Sequence, residues 1–152
     1  TVVIYPFLKR VTHWPQLGLG LAFSWGALMG WPALFGRMDA APFVLYAGSI
    51  CWVIAYDTIY AHQDTEDDIL VGIKSTALLF GEQTQLALTI FYSLAVALIG
   101  VALWLGGSGW FAWIGLAAFA AHLGGDVWKA VGIRERADFG HATLHHLKRL
   151  QE

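Results

Sequence analysis

From Thr84 to Gly125 the chain carries no formal charge apart from whatever His122 holds. A helical run of that length with no charged face cannot sit against water, so it is buried in a large core or in a bilayer. Gln16 to Gly36 and Ala40 to Tyr56 are also charge-free. In a chain of 152 residues, 57% hydrophobic and only 13% charged, with the charges bunched, the bilayer is the reading that fits. A spanning helix needs about 20 mainly apolar residues, so the longest run holds two helices, with Gly106-Gly107-Ser108-Gly109 as the turn between them. The expected fold is an all-α, polytopic membrane helical bundle with about four transmembrane helices, near residues 15–36, 41–62, 85–105 and 109–124. Residues 125–152 form an atypical, charged, His-bearing tail of helical character.

The basic residues orient this arrangement. With four spans, both ends and the middle loop from about 63 to 84 lie on one side of the membrane, and the two short turns on the other. Of the 9 Lys and Arg residues, Lys9, Arg10, Lys74, Lys129, Arg134, Arg136, Lys148 and Arg149 fall on the first side and only Arg37 on the second. That asymmetry puts the middle loop in the cytoplasm, or in the matrix of an organelle. Trp14, Trp31, Trp104 and Trp110 fall near helix ends, where amphipathic rings favour the headgroup layer.

The segment Tyr56-Asp57-Thr58-Ile59-Tyr60-Ala61-His62-Gln63-Asp64-Thr65-Glu66-Asp67-Asp68 ends the second span with a cluster of acids. Asp57, Asp64 and Asp68 follow i, i+7 and i+11, so a continued helix puts them on one face, with Asp64 and Asp68 a turn apart. Carboxylates so placed repel unless a cation lies between them. Magnesium takes oxygen ligands and keeps positions for water or phosphate oxygens, so the pair suits a metal diphosphate. The competing reading is a solvated loop whose charges stop a span. Asp57 lies nearer the membrane, where a charge is expensive, which favours a functional or hydrogen-bonded role such as ordering Lys74. Carboxylates at Asp57 and Asp64 are also compatible with a non-enzymatic ion or proton pathway, although Lys9 and Lys74 nearby serve a diphosphate better than a cation route.

Other features bound the chain more loosely. Cys51 is the only cysteine and lies inside a span, which excludes an intrachain disulfide and reads as a small apolar residue. The formal charge of −2 selects no partner, and no nucleic acid is expected. His141 and His145 are four apart, a metal-compatible spacing with no evident third ligand. Gly26-Ala27-Leu28-Met29-Gly30 permits close helix contact. The chain starts at Thr1 without a signal sequence and is expected to be a piece of a longer protein.

Tyr5-Pro6-Phe7-Leu8-Lys9-Arg10, Trp14-Pro15-Gln16, the segment from Tyr56 to Asp68, and Gly72-Ile73-Lys74-Ser75-Thr76 closely resemble the later part of the para-hydroxybenzoate polyprenyltransferases of the UbiA superfamily. The resemblance is most specific from Tyr5 to Gly81, weakens through the next two helices and fades after about residue 123. Members of that family are all-helical membrane enzymes with nine spans that join a polyprenyl chain to an aromatic acid using magnesium. The resemblance implies transfer from a polyprenyl diphosphate to a ring carbon of 4-hydroxybenzoate in ubiquinone biosynthesis, in a bacterial inner membrane or a mitochondrial inner membrane. Another aromatic acceptor, such as a naphthoate or homogentisate, or a haem precursor, is the nearest alternative.

Carried over residue by residue, the family's Asp-x-x-x-Asp motif matches Asp64 and Asp68, which would hold magnesium on the prenyl diphosphate. Its Tyr-x-x-x-Lys motif matches Tyr5 and Lys9, and Lys9, with Arg10 and Lys74, would neutralise diphosphate oxygens as the leaving group departs. Phe23, Trp25, Trp52 and Tyr60 are candidates for an aromatic lining that shields an allylic cation, with packing or lipid contact as the competing role. The family's other motif, Asn-Asp-x-x-Asp, has no counterpart between Thr1 and Tyr56. The chain is therefore expected to be the C-terminal part of such an enzyme and inactive alone.

Overall fold

The computed structural model describes residues 5–62, 70 and 72–149, and side chains among residues 7–62, 70 and 72–129. It is an all-α membrane bundle: α1 (Tyr5–Val11), α2 (Pro15–Phe23), α3 (Trp25–Phe35), α4 (Ala40–Ala61), α5 (Thr76–Phe80), α6 (Thr84–Leu105) and α7 (Trp110–Arg149). Three helical stretches among the described residues are long and apolar enough to cross a membrane, Pro15–Phe35, Ala40–Ala61 and Thr76–Leu105. The expected fourth span at 109–124 is helical from Trp110 but is not one of the three; it opens α7, which runs on through Gly124 and Gly125.

The first stretch is divided at Ser24, whose ψ of −1° leaves the α-helical value of about −42° and tightens the chain locally. Bonds from Ser24 N–H to Gly20 O and from Ala27 N–H to Ser24 O carry the backbone across the break at 3.0 Å each. The third stretch starts earlier than expected, because α5 and a 3-10 turn at Gly81–Gln83 lead into α6.

The central helix is α4. It packs most extensively on α6, then on α2 and α3, while α7 lies against α6. The close approach of α4 to α6 is made at Gly48, where a methyl group would stand 3.1 Å from Leu98 Cβ and 3.3 Å from Ala95 O and would push the helices apart by a few tenths of an ångström. A buried cluster of Ala55, Leu88, Tyr92 and Leu123 joins α4, α6 and α7, with Trp52, Phe91 and Phe119 packed against it. Large apolar side chains elsewhere, among them Leu34, Phe23 and Trp104, point outward, as expected where the solvent is lipid.

The turn at 106–109 closes α6 by a paired-bond motif. Gly107 takes φ 63°, its N–H donates to Trp104 O at 3.1 Å, and Ser108 N–H donates to Leu103 O at 3.0 Å. The left-handed residue needs glycine, and the two bonds satisfy carbonyls the helix leaves open.

Candidate functional site

Polar groups from four elements meet where α1, α2, α5 and the end of α4 converge. With only 7 residues, α1 is too short to be stable alone, and its last carbonyls need partners. Thr12 N–H donates to Leu8 O at 2.9 Å, and two further carbonyls are met from far along the chain. Lys74 N–H donates to Lys9 O at 2.8 Å, and Lys74 Nζ donates to Val11 O at 3.4 Å. A residue distant in sequence thus caps α1, and a cation sits where the helix terminus is negative. An ammonium has three donors, so one carbonyl bond does not exhaust Lys74.

The segment leading into α5 is fixed from two other sides. Ser75 caps α5 by accepting from Leu78 N–H at 3.3 Å. Thr76 N–H donates to Gln16 Oε1 of α2 at 3.3 Å, and the Thr76 and Thr58 hydroxyl oxygens are 2.6 Å apart. Gln16, Thr58, Ser75 and Thr76 are 1%, 0%, 0% and 0% exposed, so each bond has to replace water completely. Farther along, Thr84 Oγ1 donates to Gly81 O at 2.7 Å, so it accepts from His62 Nε2 at 2.8 Å, and His62 carries its proton on Nε2.

Aromatic side chains flank this corner. Trp14 meets Phe80 edge-on at 5.6 Å and Phe91 at 6.3 Å, tying the start of α2 to α5 and α6. Along α4, Trp52, Tyr56 and Tyr60 recur every four residues with ring centres 5.5 and 4.8 Å apart, and Tyr56 Oη donates to Tyr60 Oη at 3.0 Å. The stripe leads toward the end of α4.

The sequence-based candidates distribute as follows. Lys9 is half-buried and Arg10 exposed in the last turn of α1, and half-buried Lys74 lies against them. Asp57 is half-buried on α4, next to Thr58. Tyr5 opens α1, but its side chain, and all of Asp64 and Asp68, lie outside the described residues. Among the described residues no group of three or more His, Cys, Asp or Glu forms a metal centre. Of the four proposed lining residues, Trp52 and Tyr60 belong to the α4 stripe; Phe23 is 74% exposed, and exposed Trp25 meets Tyr46 edge-on at 6.4 Å. Gln16 and Thr58 went unweighed as site residues in the sequence. The signal was available: an uncharged polar side chain inside a span needs a partner, since an unsatisfied one in lipid costs several kcal/mol.

A family model described as "UbiA prenyltransferase family" matches residues 1–144, farther than the motifs alone reach. The chain is 57% identical over 100 residues to the mitochondrial 4-hydroxybenzoate polyprenyltransferase of Aedes aegypti, covering 65% of this chain and 22% of that protein. The similarly named proteins of Arabidopsis thaliana and Homo sapiens are 47% identical over 126 residues (81% of this chain, 30% of theirs) and 52% over 100 residues (65% and 26%). The chain thus spans between 22% and 30% of the length of these curated relatives. No solved structure matches it.

Proposed function

The chain belongs to the UbiA prenyltransferase family, and on that premise we propose that it forms the part of a 4-hydroxybenzoate polyprenyltransferase that grips the diphosphate of the prenyl donor. The observation that carries this reading is the bond from Lys74 N–H to Lys9 O, 2.8 Å, which brings two cationic residues distant in sequence to one corner beside the end of α4. The names of the relatives support 4-hydroxybenzoate as the acceptor.

The chemistry asks for three things. The donor's allylic C–O bond breaks, diphosphate leaves with the electron pair, and a ring carbon beside the phenol oxygen attacks the resulting cation, after which the ring loses a proton. Lys9, Arg10 and Lys74 lower the cost of the charge that grows on the diphosphate oxygens. Asp64 and Asp68, four residues apart in sequence, offer hard carboxylate oxygens, a donor set that fits magnesium, which when bound would supply further positive charge to those oxygens. Asp57 orders the cationic side from α4, and Tyr5 opens the helix that carries Lys9. The faces of Trp52, Tyr56 and Tyr60 offer the cation a water-poor, electron-rich wall. The positive corner is assigned to the cytoplasm or the mitochondrial matrix, and the apolar helices to the corresponding inner membrane.

The test is prenyl transfer by the complete gene product in membranes, with magnesium, a polyprenyl diphosphate and 4-hydroxybenzoate. Prenylated hydroxybenzoate, lost on chelation of magnesium, is the expected result. Product with a naphthoate or homogentisate alone would reassign the acceptor. No transfer to any acceptor, together with carboxylate-dependent cation flux, would replace the enzyme with an ion pathway.

A further inference from the structure

Thr58 Oγ1 lies 2.6 Å from Ile54 O and 2.6 Å from Thr76 Oγ1. A carbonyl only accepts, and a hydroxyl has one proton, so Thr58 donates to Ile54 O and must accept from Thr76. Thr76 is therefore a double donor: its hydroxyl reaches α4 and its N–H reaches Gln16 of α2. The three side chains come from three elements and are almost wholly buried. Apolar residues of the same size would fill this space, but they would tolerate a shift of one element along another. A hydrogen-bonded pair has one register, because a slip strands a buried donor.

What that register fixes is specific. Thr58 adjoins Asp57 on α4 and precedes Asp64 on the chain; Thr76 is two residues after Lys74. The bridge therefore joins the flank of the acidic segment to the flank that carries Lys74, while Lys74 itself is tied to Lys9. Resting on the diphosphate reading above, we propose that Gln16, Thr58 and Thr76 are positioning residues for the prenyl diphosphate, setting the spacing between Asp57 of α4 and the lysine pair. None of the three need touch the substrate.

The bond directions make the proposal asymmetric. Thr76→Val leaves Thr58 with its own proton still satisfied by Ile54, whereas Thr58→Val strands the Thr76 hydroxyl proton in a site with no exposure. Thr58→Val is therefore the more damaging of two isosteric changes. The experiment is equilibrium binding of a polyprenyl diphosphate with magnesium to the complete gene product in nanodiscs, alongside KM for 4-hydroxybenzoate. Thr76→Val is expected to weaken diphosphate binding about tenfold and Thr58→Val more, with the acid's KM within about twofold and Thr76→Ser restoring affinity. A purely structural role would lower the melting temperature and leave both constants unchanged, or move them equally; either pattern overturns the proposal, as does failure of Thr76→Ser to rescue. If the valine variants do not fold, Gln16→Met, which removes the acceptor for Thr76 N–H together with the Gln16 amide donors, must show the same selective loss. Wild-type transfer with unaltered variants would sink this inference alone. Absence of magnesium-dependent diphosphate binding in the wild type would sink the diphosphate reading and this inference with it.

Discussion

The two ends of the bundle are held together by different kinds of bond. At the end formed by α1, α5 and the close of α4, polar contacts join residues separated by 18, 22, 60 and 63 positions, and the groups involved include some of the most buried in the chain. At the opposite end, around the turn between α3 and α4, the side-chain polar contacts among the described residues are local, and the long-range bond nearest to it, from Tyr46 Oη to Leu21 O at 2.8 Å, is exposed. Asp39 Oδ2 accepts from Arg37 Nε two residues away and from Trp31 Nε1 eight residues away, at 3.0 Å each, with Arg37 72% exposed. Local bonds close a turn and little else. Long-range buried bonds fix elements against one another, which a site that must hold charges at set distances requires. The contrast supports placing the proposed diphosphate site at the first end rather than at the second.

The comparison can be broken in several ways. Topology makes it all or none: a cysteine replacing Arg37 is expected to react with an impermeant thiol reagent from outside, and one replacing Lys74 only after permeabilisation. The reverse labelling would invert the orientation. Next in size, Asp64→Ala or Asp68→Ala in the complete gene product is expected to cut transfer about a hundredfold or more while the protein stays folded. Near-normal turnover in either variant would remove the metal assignment. Smallest, Asp39→Asn is expected to cost under about 1 kcal/mol of stability and to leave transfer unchanged, because the pair it breaks is solvent-exposed. A loss of transfer there would show that the far end also shapes the site.

Much of this architecture is legible in the sequence because apolar length and glycine placement are local signals. The turn at 106–109 follows from its glycines, and α4 follows from a charge-free run that ends in acids. Other parts are not legible, for physical reasons. The break at Ser24 has neither charge nor proline beside it, and nothing in the composition separates α2 from α3. Gly124 and Gly125 look like a stop, yet α7 continues, since glycine inside a helix costs only about 1 kcal/mol. The resemblance to the family picked out Lys9 and Lys74, but their meeting depends on a backbone bond between distant residues that no periodicity reveals. Thr58 is hidden for a further reason: by donating to Ile54 O it looks like a self-satisfied helix hydroxyl, and only its second bond, to Thr76, gives it a tertiary role.

The central claim is that one end of the bundle, and not the other, binds the diphosphate. The most direct measurement is polyprenyl diphosphate affinity in magnesium for three variants of the complete gene product, Lys9→Ala, Lys74→Ala and Arg37→Ala. Each removes one positive charge. Both lysine variants are expected to lose about tenfold in diphosphate affinity, with 4-hydroxybenzoate affected less, and Arg37→Ala to bind as the wild type does. Equal losses at all three positions, or a loss confined to Arg37→Ala, would contradict that claim.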